Sequence, residues 1–171
     1  MQGGPPSQLE ISGRLISKAK DIAEAMNDFF LEKVNLIRSS IPNIPICLLK
    51  CKEIMNGKRC KLSLNHVTVL KVNRFLKGLK NSKSCSFDGL DNFSVRLAAD
   101  IIDKPLHHVI SLSIMQKTFP TLWKSSKIIP LHKKNSRLEA KNYRPVSILS
   151  PLSKVAEKIV YEQLYKYFSN N

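Results

Sequence analysis

Apolar residues return at helical spacing in several stretches of this chain. Between residues 18 and 38, apolar side chains recur every three or four positions, which is typical of an amphipathic helix with one buried face. The same spacing predicts four more helices, over residues 68–80, 94–102, 105–117 and 151–168. Pro105 and Pro151 stand where two of these helices would begin, and proline is tolerated there because its missing N–H would be unpaired anyway.

Two shorter apolar runs have the pattern of β-strands. We predict a strand over residues 127–131 and its partner over residues 145–149. Pro130 and Pro145 fit strand ends or edges, because proline has no N–H to donate to a ladder. The chain is therefore predicted to have a mainly α-helical α+β fold, with about five helices and a small two-stranded β-hairpin.

Three other segments carry loop signals. Residues 1–13 contain Gly-Gly-Pro-Pro and are predicted to be disordered. Residues 46–62 are predicted to hold an extended segment and a turn at Asn56-Gly57. Asp88 precedes a glycine in a polar loop, so we interpret it as a turn residue that bonds nearby backbone, not as a catalytic carboxylate.

The net charge of +15 is concentrated in two blocks of the sequence. Residues 50–80 hold nine Lys and Arg against one Glu, and residues 122–171 hold ten against three. A localised excess of positive charge can form a surface that attracts a phosphate backbone. We therefore favour a nucleic-acid partner, and the alternative is a solvated face that only keeps the chain soluble.

The sequence predicts neither a metal site nor a membrane span. Cys47, Cys51, Cys60 and His66 fit none of the usual zinc spacings, so simple packing is the preferred interpretation. No apolar run approaches the ~20 residues of a membrane helix, and the N-terminus lacks the layout of a signal peptide. We expect an intracellular protein, in the nucleus or the cytoplasm.

The region 84–161 holds the most specific motifs. They are Ser84-Cys85-Ser86-Phe87-Asp88-Gly89-Leu90, Phe119-Pro120-x-x-Trp123-Lys124, Ile129-Pro130-Leu131-His132-Lys133-Lys134, Asn142-Tyr143-Arg144-Pro145-Val146-Ser147-Ile148-Leu149 and Leu152-Ser153-Lys154-Val155-x-Glu157-Lys158. In this order and at these spacings, they resemble the N-terminal part of a reverse transcriptase from a non-LTR retrotransposon of the LINE or jockey-like kind.

The resemblance implies a role for each part of the chain. Residues 84–171 would be a partial reverse transcriptase domain, its fingers, and residues 14–83 a helical connector preceding the polymerase. The hairpin at 127–149 would arch over the incoming dNTP, with Arg144 on the triphosphate and Lys133 or Lys134 near the outer phosphates. Tyr143 would support Arg144 by packing.

Alternatives remain open for these cations. From the residues alone, an ion pair between Arg144 and a glutamate such as Glu157 is as reasonable as phosphate contact. Nucleic-acid contacts are also expected from Lys71, Arg74, Lys77, Lys80, Lys124 and Lys127. For the first four, which share the predicted helix 68–80 and its end, a solvated helix face is the alternative.

Catalysis is not expected from this chain alone. The family's palm carboxylates, which hold two Mg²⁺ ions, would lie beyond Asn171, so palm and thumb are expected to be absent. The aspartates here stand singly, at positions 21, 28, 88, 91, 100 and 103. We therefore expect no catalytic residue and no cofactor bound by this chain, with Mg²⁺ implied only for the full-length family.

Three functions follow from these observations. The preferred one is a fragment of an RNA-directed DNA polymerase that contributes nucleotide and template contacts. The alternatives are a non-catalytic basic RNA- or DNA-binding adaptor derived from a retroelement, and a helical protein-interaction domain. The expected partners are template–primer RNA and DNA, dNTP weakly if at all, and other protein surfaces through uncovered apolar faces.

Overall fold

The computed structural model describes residues 4–41 and 62–170 of the chain. This part of the chain contains five α-helices and four strands: β1 (Leu9–Ile11), β2 (Arg14–Ile16), α1 (Ala19–Ser40), α2 (Val69–Lys77), α3 (Asn92–Leu97), α4 (Ala99–Gln116), β3 (Ser126–His132), β4 (Tyr143–Leu149) and α5 (Pro151–Asn170). Strand β1 pairs with β2, and β3 pairs with β4. The prediction of a mainly helical α+β fold is confirmed, and a second small hairpin is added to it.

The described residues form two compact units. One contains residues 4–41 and 128–146, and the other contains residues 62–127 and 147–170. The predicted boundary between a connector (residues 14–83) and a polymerase part (residues 84–171) was drawn from the resemblance to a family. The two units are defined by packing, so they do not test that boundary. That boundary therefore stays a prediction.

The first unit has a small core under the β1–β2 hairpin. Leu9 of β1 is fully buried and packs with Ile22 and Met26 of α1 and with Tyr143 of β4. Ser12 and Gly13 turn the chain between the strands with positive φ, which glycine adopts at no steric cost. Strand β1 lies within the residues predicted to be disordered, and strands of three residues are too short to show a period in the sequence.

The second unit has a larger apolar core, built by α2, α3, α4 and α5. Val72 and Leu76 of α2 and Ile159 of α5 are fully buried there. Helix α2 begins where the Thr68 hydroxyl accepts a hydrogen bond from the Lys71 N–H, at 3.3 Å, as expected of an N-cap. This packing positions the basic residues of α2 and α5 that are considered below.

The predicted break between the third and fourth helices was wrong. Helix α4 begins at Ala99 and runs through Pro105, so the break lies at Ala98. A proline inside a helix leaves the carbonyl four residues earlier without its N–H partner. That carbonyl belongs to Ile101, which is 80% exposed, so water can satisfy it and the proline is tolerated.

Some predictions fall on residues outside the described ranges. The turn at Asn56-Gly57 and the thiols of Cys47, Cys51 and Cys60 are among them. Cys85 lies in the described part and is an exposed free thiol. In that same part, no helix combines the length and apolar character needed to cross a membrane.

Candidate nucleic-acid interface

Asn142 organises the loop that joins β3 to β4. Its side-chain amide is buried and donates to the Ser136 carbonyl at 2.9 Å and to the Glu139 carboxylate at 2.8 Å. The Asn142 carbonyl accepts the N–H of Lys133 at 2.8 Å, which ties the two ends of the loop together. Because a buried amide without partners is costly, these three bonds fix the shape of residues 133–142.

Tyr143 anchors the same loop to the core of the first unit. Its ring is buried, meets the His132 ring edge to face at 5.2 Å, and donates its hydroxyl proton to the Arg137 carbonyl at 2.8 Å. Burial raises the pKa of the Tyr143 phenol, and the nearby Arg137 charge acts in the opposite direction. The phenol is therefore kept as a neutral donor.

The loop and the start of β4 carry an excess of positive charge. Residues 133–144 hold five Lys and Arg against one acid, Glu139. The Glu139 carboxylate pairs with the Lys141 ammonium group at 3.1 Å. This bond and a smaller contribution from Asn142 outweigh the effect of burial and lower the pKa of Glu139. Glu139 is therefore already paired with Lys141, and the other four Lys and Arg residues of this segment are in excess over it.

The residues predicted to bind nucleotide are exposed in this arrangement. Lys133 and Lys134 begin the loop, and Arg144 follows Asn142 by two residues. Within the described residues of this unit, no carboxylate lies within 4.0 Å of these three cationic groups. Glu157, the acid considered as a partner for Arg144, accepts a hydrogen bond from Ser153 at 2.9 Å.

The basic residues of α2 are differently placed. Lys71 pairs with Glu162 of α5 at 2.9 Å, and Lys77 pairs with Asp100 of α4 at 2.7 Å. Arg74 of α2 and Lys80, three residues beyond its end, are exposed, and the guanidinium of Arg74 lies 5.7 Å from the centre of the Phe75 ring. Helix α2 is thus not a uniformly free basic face, because two of its lysines already hold carboxylates.

The other two cations predicted to contact nucleic acid lie near the start of β3. Lys124 ends a short 3-10 helix (Thr121–Lys124), Lys127 is the second residue of β3, and both side chains are exposed. Their role stays a prediction.

Asp88 has the turn role predicted for it. Its carboxylate accepts the N–H of Leu90 at 3.0 Å and the hydroxyl of Ser86, and Gly89 completes the turn with positive φ. Burial acts to raise the pKa of Asp88, but hydrogen bonds from Ser86, Ser150 and the Leu90 N–H outweigh it and lower the pKa. In the described part of the chain, no three His, Cys, Asp or Glu residues form a group that could hold a metal ion.

One basic residue of the second unit was not among the predicted nucleic-acid contacts. The Lys158 ammonium group of α5 lies 5.0 Å from the centre of the Phe75 ring of α2, close enough for a cation–π contact. Lys158 and Phe75 are far apart in the sequence, and no local pattern links them. Only the packing of α2 on α5 brings them together.

Comparison with known proteins supports the class of protein that the motifs predicted. The chain is similar to the RNA-directed DNA polymerase of a jockey-like non-LTR retrotransposon, which confirms the resemblance. The relative is the RNA-directed DNA polymerase from mobile element jockey of Drosophila melanogaster, 32% identical over 104 residues. The match covers 60% of this chain and 11% of that protein, and no family model matches the chain.

Proposed function

We propose that this chain contributes nucleotide and nucleic-acid contacts to a retroelement reverse transcriptase. The observation that carries the proposal is the exposed basic loop, held in place by the buried side chains of Asn142 and Tyr143. Preorganised cations suit phosphate recognition, because little ordering is needed when the ligand binds. The similarity to the jockey polymerase supplies the kind of ligand, namely RNA, DNA and dNTP.

Arg144 is the residue proposed to contact the triphosphate. A guanidinium is planar, permanently charged and able to bond two phosphate oxygens at once. Lys133 and Lys134 are proposed to add point charges near the same phosphates. Lys124, Lys127, Arg74 and Lys80 are proposed to contact the template backbone, with Lys71 and Lys77 weaker candidates because of their ion pairs.

The isolated 171-residue chain is proposed to be non-catalytic. Nucleotidyl transfer requires carboxylates that hold two metal ions about 4 Å apart. Four of the aspartates have other structural tasks: Asp88 in a turn, Asp91 capping α3, Asp100 paired with Lys77, and Asp103 bonded to Asn73. Mg²⁺ would be bound by other parts of a full-length polymerase.

A chimera that joins this chain to the palm and thumb of an intact relative tests the role of Arg144. In that enzyme, Arg144→Ala should raise the KM for dNTP and lower kcat/KM by roughly 30- to 1000-fold, since a charged phosphate contact is worth about 2–4 kcal/mol. Arg38→Ala is the matched control, because it also removes an arginine side chain, from an exposed position near the end of α1. Equal, small effects of the two substitutions would reject the assignment.

Salt dependence separates the proposed function from a helical protein-interaction domain. If several phosphates are neutralised, the affinity of the chain for RNA or DNA should fall roughly tenfold or more between 50 and 200 mM salt. A flat response, or no binding at 50 mM, would favour the interaction domain. Primer extension by the isolated chain with Mg²⁺ or Mn²⁺ would contradict the non-catalytic assignment.

A further inference from the structure

Helix α5 exposes a row of aromatic side chains. Tyr161, Tyr165 and Phe168 are 61%, 62% and 71% exposed, and their spacing of four and three residues places them on one face of the helix. The buried residues of α5, such as Val155 and Ile159, lie on the opposite face. The aromatic row is therefore not part of the core of the second unit.

The first two rings of the row lie against each other. The Tyr161 and Tyr165 rings are stacked, with centroids 5.8 Å apart and planes inclined by 29°. A contiguous exposed apolar patch, unlike a single exposed apolar residue, marks an interaction surface. The face of each ring that is turned away from the other can stack on a planar partner, and nucleic-acid bases are such partners.

The same face becomes basic towards the start of α5. Lys154 and Lys158 precede Tyr161 by seven and three residues, so they continue the row along the helix. Beside Lys158, α2 contributes Lys71 and Arg74, each with its charged group 5.7 Å from the centre of the Phe75 ring. The acids on this side are Glu162, paired with Lys71, and Glu157, bonded to Ser153. Lys71 and Glu162 neutralise each other, which leaves Lys154, Lys158 and Arg74 beside Glu157.

We propose that this face of α5 binds single-stranded nucleic acid, with bases stacked on Tyr161, Tyr165 and Phe168 and phosphates held by Lys158 and Arg74. Proteins that bind single strands combine these two components, a row of aromatic rings and a positive track for the backbone. From Lys154 to Phe168 the row is about 21 Å long, at 1.5 Å per residue, which suits a few nucleotides.

The charge of the row favours a polyanion over a second copy of the chain. Pairing of two copies through this face would bring two surfaces of net positive charge together in either orientation, whereas a polyanion would neutralise Lys154 and Lys158. Duplex DNA is also a poorer fit, because its bases are stacked on one another and cannot reach the rings. The proposal deepens the proposed function and rests on it in one respect, that the chain contacts nucleic acid at all.

Binding of fluorescent oligonucleotides by the whole chain, followed by anisotropy, tests the proposal. The double substitution Tyr161→Leu/Tyr165→Leu keeps the helix and an apolar surface but removes the rings. It should weaken binding of a 12-nucleotide oligo-dT by roughly tenfold or more, since each stacked base contributes substantially. Binding of a 12-base-pair duplex should change less than twofold. Phe87→Leu, at an exposed aromatic of a loop, is the control and should change neither.

Two further variants separate this surface from the basic loop. Lys158→Gln should weaken single-strand binding and reduce its salt dependence, whereas Arg144→Ala should leave the effect of the tyrosine substitutions unchanged. Equal loss of single-strand and duplex binding in the tyrosine variant, or no loss, would overturn the proposal while leaving the role of Arg144 intact. Self-association of the wild-type chain that disappears in the tyrosine variant, with binding unchanged, would overturn it in favour of a contact between copies.

Discussion

The loop between β3 and β4 and helix α2 carry the same kinds of cations in different surroundings. In the loop, Lys133 and Lys134 are exposed, and no carboxylate of their unit is within ion-pair distance among the described residues. On α2, Lys71 and Lys77 are held by Glu162 and by Asp100. Charge density along a sequence therefore overestimates the free charge of a helix whose neighbours are acidic.

The two regions are also held together differently. Residues 133–143 depend on hydrogen bonds from Asn142 and Tyr143, whereas α2 depends on apolar side chains such as Leu76. The loop should therefore respond to the loss of single polar groups, and the helices should respond to the loss of buried volume. Ile159→Ala and Asn142→Ala test this contrast, and Lys77→Ala tests the difference between paired and exposed lysines.

The largest effect is expected from Ile159→Ala in α5. Ile159 is fully buried in the core of the second unit, and truncation of such a side chain costs about 2–5 kcal/mol through lost transfer energy and the cavity left behind. Urea unfolding followed by the fluorescence of Trp123, the single tryptophan, reports on this unit because Trp123 packs against its core.

Ile101→Ala is the matched control for that experiment. Ile101 is exposed on α4, so its truncation should change the free energy of unfolding by less than about 0.5 kcal/mol. If the two alanine variants unfold at the same urea concentration, the apolar core described for the second unit is not what stabilises it.

The sequence predicted the elements whose patterns are long. Helices α1, α2 and α5 lie within a few residues of their predicted ranges, since each keeps a helical period over two or more turns. The start of α4 was predicted at Pro105, whereas the helix begins at Ala99. The effect of a proline on a helix depends on whether the carbonyl four residues earlier can reach water, which the sequence does not tell. The β1–β2 hairpin was missed because its three-residue strands have no measurable period.

The candidate site was predictable only in part. The motif around Arg144 identified the exposed cations, whereas the support of Arg144 by Tyr143, which the resemblance implied, stays a prediction because the ring packs in the core of the first unit. The ion pair between Lys71 and Glu162 was not predictable, because it joins helices far apart in sequence. The same holds for Lys158 over the Phe75 ring, which depends on the packing of α5 against α2.

An intermediate effect is expected from Asn142→Ala. The substitution removes two hydrogen bonds that Asn142 donates, to the Ser136 carbonyl and to the charged Glu139 carboxylate, at a cost of about 1–3 kcal/mol. The Lys133 N–H, which bonds the Asn142 carbonyl, should then exchange with solvent faster. Hydrogen exchange followed by NMR measures this, with Asn81→Ala at an exposed loop position as control. Unchanged protection of Lys133 would mean that the asparagine side chain does not hold the loop.

The smallest effect is expected from Lys77→Ala, and it appears in the titration of Asp100. The hydrogen bond from Lys77, followed by that from Asn73, lowers the pKa of Asp100. A carboxyl group with a lowered pKa stabilises the fold above its ordinary pKa, and this contribution is lost as the pH falls through the folded value. In Lys77→Ala the pKa of Asp100 should rise towards its ordinary value without reaching it, because Asn73 remains.

NMR titration of the Asp100 carboxyl carbon measures that shift directly. The difference in stability between Lys77→Ala and the wild-type chain should be present at neutral pH and should vanish in acid, where Asp100 is protonated in both. Lys80→Ala, which removes an exposed lysine three residues further along, should leave the pKa of Asp100 in place. If both substitutions move it equally, the pKa of Asp100 responds to the general positive field of α2 and not to its pair with Lys77. The distinction drawn between paired lysines on α2 and exposed lysines in the loop would then fail.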